Sequence, residues 1–434
     1  MSYPQWFNSA GAKALNAALW PIAVMSVLHR TMILAVNEHI TDDFNPVYEA
    51  GLAFLNHRPV YTQNLDQVEP HYLYPPSGTL LLSPITHFDP ITARLLFIAG
   101  TSAAIIAACL LLLKFFDLPL RSFATPALLA AVFLTESVTN TLTFTNVNGF
   151  VFLAEAIFLL CVKHDRPWLA GSALGLTFAV KPILAPLLLI PLVLRWWKTF
   201  AAAFAVPAAL LVASLLYSAD PGELLYSQDA VKYYRQVVPY LGKPRDYYNS
   251  AIEGVGAYYG VNPVLLLLLR AVLGALVLIS LWWLYRRFRH RDLVLWAATT
   301  AGLALVATFV LGSLGQGYYS LFLVPMALSV VRAGSPMRSW VPWLGLYGCM
   351  SLDFWEFNQP LRHERPPRDL LVFLYPKGRA MEYLKFTFGW TLVIVGVFAA
   401  LWLAKGTKDE RGEAEETEGE RPEPSDPAQA ASAA

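Results

Sequence analysis

The sequence predicts an all-α polytopic membrane protein of about twelve transmembrane helices, with long polar loops on one side only. Three observations carry that reading. Of 434 residues, 56% are hydrophobic and only 15% are charged, and mean hydropathy is +0.46, whereas soluble domains carry about a quarter charged residues. Apolar stretches recur at about the 20-residue length that crosses a bilayer as a helix. Lys and Arg also gather in alternate short loops, the pattern of cytoplasmic connections. A net charge of +1 without a basic stripe excludes a nucleic-acid partner. Cys109, Cys161 and Cys349 all lie inside apolar stretches at unrelated spacings, which excludes a disulfide framework and a zinc motif.

The first apolar segment, residues 14–36, is too long for a signal-peptide core and reads as a retained helix, with Lys13 holding the N-terminus inside. Segment 91–115 follows the first external loop and ends inside at Lys114 and Arg121. Segment 122–138 returns outward to a polar turn, Thr139 to Asn148. Segment 149–163 ends inside at Lys163, His164 and Arg166. Segments 167–181 and 183–197 are short and are divided by Pro182, which lacks a donor and disfavours helix at the residue before it. Parity puts Lys181 outside.

Segment 199–217 leads to a second external loop. Segment 263–285 ends in Arg286-Arg287-Phe288-Arg289-His290-Arg291, the strongest cytoplasmic marker in the chain. Segments 293–313 and 318–332 meet outside at Gly315 to Ser320, and segments 339–355 and 383–404 flank a third, Arg-rich external loop. Residues 1–404 therefore form one transmembrane domain with external loops 37–90, 218–262 and 356–382. Residues 405–434 are Glu, Pro, Ala and Ser without an aromatic, a composition that predicts a disordered cytoplasmic tail.

Polar residues concentrate in the external loops, which suits an enzyme at the outer face. A transporter needs charged groups along a path near the bilayer midplane. Asp42 and Asp43 follow the first helix directly. Helix capping accounts for such a pair without chemistry; a general base taking a proton from an acceptor hydroxyl is the functional alternative. Lys181 ends an apolar helix. It either snorkels to the headgroups or neutralises a lipid-linked phosphate. Arg245 to Ser250, and His71 with Tyr72 and Tyr74, fit an interfacial aromatic belt or a sugar-holding surface. No HExxH or paired CxxC spacing occurs, so the chemistry requires no metal and no cofactor.

The ordered set of motifs is specific. It runs Leu28-His29-Arg30, Ile40-Thr41-Asp42-Asp43-Phe44 with Val47-Tyr48, Pro59-Val60-Tyr61, and Pro70-His71-Tyr72-Leu73-Tyr74-Pro75-Pro76. It continues with Thr139-Asn140-Thr141-Leu142, Phe144-Thr145-Asn146, Lys181-Pro182, Arg245-Asp246-Tyr247, Gln316-Gly317-Tyr318-Tyr319-Ser320 and Arg379 to Lys385. From about residue 20 to 404 the chain resembles the polyprenyl-phosphate-dependent GT-C glycosyltransferases of actinobacterial envelopes, and most closely the arabinofuranosyltransferase C group of mycobacteria and relatives.

The resemblance implies a GT-C fold in the plasma membrane with the active site on the periplasmic face. It implies a decaprenyl-phosphoryl-arabinofuranose donor, an α-1,5-arabinan acceptor of arabinogalactan or lipoarabinomannan, an α-1,3 branch as product, and inversion at the anomeric carbon. The base maps to Asp43, with Asp42 as second choice. Lys181, His71 and Arg245 are the candidates for the donor phosphate. Tyr48, Tyr72, Tyr74, Asn146, Asp246, Asn249, Gln316, Tyr318 and Tyr319 are the candidates for the sugars. The loop 356–376 is longer than the group's pattern, which leaves the place of Arg362, Arg365 and Arg368 open. General-base chemistry alone does not separate pentose from hexose, so a mannosyltransferase of the same superfamily stays open, as does a lipid-linked sugar flippase.

Overall fold

The computed structural model describes residues 9–37, 43–65, 71–218, 228–243, 249–353 and 380–419, with backbone alone at 380–383 and 405–419. No strand occurs among the described residues. A bilayer offers no water to satisfy backbone groups, and helices satisfy their own. Helix α1 (Ala10–Asn37) is followed by two short helices, α2 (Phe44–Leu55) and α3 (Pro76–Leu82), and by the long α4 (Pro90–Phe115). Next come α5 (Ala124–Phe133), α6 (Glu136–Thr143), α7 (Asn148–Lys163), α8 (Pro167–Val180) and α9 (Pro182–Leu194). Helix α10 (Trp197–Ser218) leads to α11 (228–242) and α12 (Ile252–Tyr259). The remainder are α13 (Pro263–Phe288), α14 (Leu293–Leu311), α15 (Gly317–Val331), α16 (Trp340–Met350) and α17 (Ala380–Gly419).

The chain is an all-helical, multi-pass membrane protein, and among the described residues six helices are long and apolar enough to cross a membrane: α1, α4, α10, α13, α14 and the Leu384–Ala404 part of α17. That is fewer than the about twelve spans the sequence predicts, of which 167–181 and 183–197 are short already in the sequence. The segment expected at 122–138 breaks after Phe133 and restarts at Thr135, which caps α6 through Val138 N. Helices α7, α8, α9, α15 and α16 stand where five other spans were expected, but they are short. The 14 residues of α8 rise only about 21 Å against a hydrocarbon core of about 30 Å. Prolines are one cause: Pro182 and Pro186 hold the first part of α9 in a 3₁₀ turn.

Several starts follow sequence signals. Asp89 Oδ1 accepts from the amides of Ile91 and Thr92 at the head of α4, and Asn262 and Asp292 cap α13 and α14 in the same way. At the other end of the chain, the backbone of α17 is helical to Gly419. Glu, Ala and Lys extend a helix that the membrane segment has already nucleated. Residues 420–434 lie outside the described residues.

Helix α14 is buried along most of its length, while α1, α10 and α13 turn most of their surface outward. Leu265, Leu267, Leu268 and Leu278 of α13 are all exposed, a face that hydrocarbon solvates and water does not. Helix α8 packs along α10 with almost no gap. A Cβ at Gly171 would stand 2.3 Å from the Thr199 carbonyl oxygen, so only glycine allows this approach.

The two ends of the bundle differ in chemistry. At one end Asp117 accepts from Lys163 Nζ (2.5 Å) and Arg332 Nη2 (2.9 Å), and Arg287 donates to the Leu401 carbonyl. At the other end the polar loops fold into a cap with its own small core of Val47, Phe54, Tyr61, Tyr72, Tyr233 and Val237. Asp229 Oδ1 accepts from Val60 N (3.0 Å) and so ties the second external loop to the first.

Candidate active site

The cap and the bundle meet around Asp43. Its backbone opens α2 as the N-cap residue, but the carboxylate makes no capping hydrogen bond, so capping does not account for Asp43. The chain reaches it from the end of α1, which Arg94 anchors: Arg94 Nη2 donates to the Ala35 carbonyl at 2.8 Å and to the Thr143 carbonyl at 3.5 Å. One guanidinium thereby joins the α1 terminus to the turn after α6.

That turn is bent into an unusual shape. Thr145 has φ +53, a left-handed conformation that β-branched residues rarely adopt and that costs about 1–3 kcal/mol. Its hydroxyl donates back to the Leu142 carbonyl. The bend delivers two buried asparagines, Asn146 and Asn148, to the side facing Asp43. The Asn146 amide is close enough to stabilise the Asp43 carboxylate, yet its Nδ2 completes no hydrogen bond of good geometry with protein atoms. It is a donor poised toward a ligand or toward Asp43 itself.

Lys181 enters from the opposite side. Pro182 forces it into extended backbone (φ −150, ψ 101), which ends α8 and turns the side chain inward. Its Nζ donates to Asn148 Oδ1 at 3.2 Å and lies 4.8 Å and 5.1 Å from the ring centroids of Tyr319 and Tyr318. Two aromatic faces and an amide oxygen therefore hold an ammonium without neutralising it. Lys181 does not snorkel to the surface. Lys181 and Asp43 are both only partly exposed to solvent. Burial raises the Asp43 pKa above the usual carboxylate value, and the Lys181 charge and the Asn146 amide pull it back down.

Other candidates fall into distinct places. Tyr74 is close enough to Asp43 to feel its charge. Tyr48 and Tyr72 are buried instead, their hydroxyls paired with the Phe88 carbonyl (2.9 Å) and Thr79 Oγ1 (2.8 Å), so both brace the cap. Asn249 is buried against backbone, donating to the Ser313 carbonyl and accepting from the amides of Ala251 and Gly315. It shapes the segment before α15 and does not present its amide to a sugar. His71 packs its ring edge-on against Tyr240 of α11. Gln316 is half-buried at the head of α15. Asp42, Arg245, Asp246, Arg362, Arg365 and Arg368 lie outside the described residues.

Sequence reasoning passed over Asn148, Arg94 and Glu155. Asn148 stood in plain view as the last polar residue before an apolar helix. Arg94 resembles an ordinary interfacial arginine until its three carbonyl partners are seen. Glu155, in the middle of α7, is a fully buried carboxyl with neither oxygen hydrogen-bonded, so the bundle interior is not free of ionisable groups. Among the described residues no group of three His, Cys, Asp or Glu side chains could hold a metal ion.

Beside Lys181 an apolar groove of about 290 Å³ opens between α8, α10 and α11, lined by Pro75, Phe178, Pro182, Leu211, Tyr234 and Val238 among others. It does not contain Asp43; it begins at the residues next to Tyr74 and Lys181. The arrangement is one carboxylate, one ammonium within electrostatic reach of it, and an apolar groove bordered by Pro182, the residue after the ammonium. Such a site can deprotonate a hydroxyl, receive an anionic leaving group and hold a long hydrocarbon.

The profile of Glycosyltransferase family 87 matches residues 72–314, which include Asn146, Asn148 and Lys181. The chain is 43% identical over 395 residues to an alpha-(1->3)-arabinofuranosyltransferase of Mycobacterium tuberculosis, covering 90% of this chain and 86% of that protein. It is 44% identical over 402 residues to a protein of the same name from Mycolicibacterium smegmatis, covering 92% and 88%. The Corynebacterium glutamicum relative of that name is 37% identical over 402 residues, covering 90% of each chain.

Proposed function

Because the chain belongs to glycosyltransferase family 87, we propose that it is a membrane alpha-(1->3)-arabinofuranosyltransferase of GT-C architecture, using decaprenyl-phosphoryl-arabinofuranose as donor and an α-1,5-arabinan as acceptor. The observation that supports the mechanism is that Asp43 and Lys181 lie within electrostatic reach of each other. The acceptor hydroxyl gives its proton to the Asp43 carboxylate as its oxygen bonds to the anomeric carbon. The bond from that carbon to the phosphate oxygen breaks, its electron pair stays on the phosphate, and Lys181 balances the charge. Attack from the face opposite the phosphate inverts the anomeric centre. A lipid phosphate is already a competent leaving group, so one base and one cation suffice.

The groove beside Lys181 receives the prenyl chain, so lipid, phosphate and sugar lie in sequence along one path. Polar cap and anchoring cations stand at opposite ends of the bundle, which supports a reaction at the periplasmic face of the plasma membrane. Asp43→Asn is the direct test: with purified protein in lipid nanodiscs, kcat is expected to fall about 100- to 10,000-fold, the usual worth of a positioned base. Unchanged turnover in folded Asp43→Asn protein would remove Asp43 as the base.

A further inference from the structure

Below the Lys181 cage lies a buried ion pair that the transfer chemistry does not use. Lys385 of α17 is 1% exposed, and its Nζ donates to Glu136 Oε2 at 2.5 Å and to the carbonyls of Ser351 and Asp353 at 2.8 Å each. All three of its N–H groups are thus satisfied. Glu136, the first residue of α6, accepts from Asn140 Nδ2 through its other oxygen (3.3 Å). A pair so buried is weak evidence of a stability device, since apolar residues of similar volume often hold a core as well. Its placement suggests another use.

The residue after each partner reaches Gly317. Ser137 Oγ approaches the Gly317 carbonyl at 3.5 Å from the α6 side. Phe386 covers Gly317 from the α17 side so closely that a Cβ there would sit 2.3 Å from the ring. Gly317 is therefore held between the two neighbours of the ion pair, and Tyr318 and Tyr319, which enclose Lys181, follow it directly. A turn further on, Trp390 Nε1 donates to Ser320 Oγ at 2.9 Å and ties the next residue to α17. Helix α6 meanwhile runs into the Thr145 bend that aims Asn146 and Asn148, and Phe144 stacks edge-on with Tyr318 at 6.3 Å. Both walls of the lysine cage are thus built on the two helices that the ion pair joins.

We propose that Glu136 and Lys385 are positioning residues of the transfer reaction: their ion pair holds the Tyr318–Tyr319 wall in register with the Asn146–Asn148 turn, and so fixes where Lys181 presents its charge to the donor phosphate. The inference rests on the reading of Lys181 as the phosphate cation.

The test uses full-length protein in nanodiscs and determines kcat and separate donor and acceptor KM values. The variants are Glu136→Gln, the paired replacement Glu136→Leu with Lys385→Met, and Lys181→Met. Glu136→Gln keeps shape and hydrogen bonding while dropping the charge, and the paired replacement removes both charges without leaving one stranded. In each, donor KM is expected to rise about tenfold, the size of one weakened charge-assisted contact, with acceptor KM unchanged. A merely structural pair would lower the fraction of active enzyme, and hence kcat, and leave both KM values alone. The paired variant strands no charge and keeps the test open where Glu136→Gln, which leaves Lys385 unneutralised, does not fold. Unchanged donor KM in either variant when folded, beside a raised one in Lys181→Met, overturns the proposal and leaves the Lys181 reading standing. A silent Lys181→Met overturns both.

Discussion

Replacing Lys181 by Met keeps the aliphatic stem and removes one charge, which makes it the sharpest probe of the site. The wild-type ammonium touches one amide oxygen and two ring faces, and among the described residues no carboxylate is bonded to it in competition with an incoming phosphate. At about 4 Å and an effective dielectric of about 20, a charge pair is worth about 4 kcal/mol before desolvation is subtracted. A charge-assisted hydrogen bond contributes about 1.5–3 kcal/mol net. The lower range is the better guide, because both groups shed water when the donor binds, and it corresponds to a loss of about 10- to 150-fold in donor kcat/KM.

A second readout comes from Asp43. Its pKa is raised by burial and lowered by the Lys181 charge. Only the ionised carboxylate can accept a proton, so the rate climbs with pH through the Asp43 pKa. Removing Lys181 removes a lowering influence, and the acid limb of the pH–rate profile moves to higher pH. The assay is transfer of radiolabelled arabinofuranose from a synthetic polyprenyl-phosphate donor to an oligoarabinan, in nanodiscs, across a pH series. A donor kcat/KM within about threefold of wild type, with an unmoved acid limb, would refute the reasoning.

Three further outcomes are expected. Leu211→Trp fills the groove beside Lys181 and should raise KM about tenfold for a long-prenyl donor, through lost burial of about two methylenes. A short-chain donor should be unaffected, and equal effects on both would place the lipid elsewhere. Gly317→Ala drives a methyl into the Phe386 ring and should weaken donor binding by displacing Tyr318 and Tyr319; donor titration by tryptophan fluorescence measures it, and wild-type affinity would show that the wall yields without consequence. Folding stability should also carry the mark of Asp43. Its folded-state pKa is raised, so this contribution is fully present below the unfolded value and is lost as pH rises through the folded one. Thermal melts of wild type and Asp43→Asn should therefore diverge across that window, and parallel curves would count against a buried carboxyl.

Much was written locally. Hydropathy and charge alternation mark every apolar segment, because bilayer length and backbone satisfaction act on contiguous residues. Proline reports its own geometry, so Pro182 announces the end of α8. The Asp43 carboxylate could be suspected from its position beside a membrane helix, but only the structure shows that it makes no helix cap. Tyr48, Tyr72 and Asn249 misled, since an aromatic or an amide in a loop looks the same whether it faces a ligand or a carbonyl. Which of those it meets depends on partners up to 66 positions away, as with Asn249 and Gly315.

The same limit governs the centre of the molecule. Sequence alone determined that this chain lives in a membrane and is helical, since each follows from the kinds of residues in unbroken runs. Tertiary structure alone decided that Asp43 lies within electrostatic reach of Lys181, that Asn148 and two tyrosines hold the ammonium, and that Glu136 and Lys385 meet across 249 positions. Those pairings arise where helices pack, and packing depends on shape and distance between segments that no local pattern records.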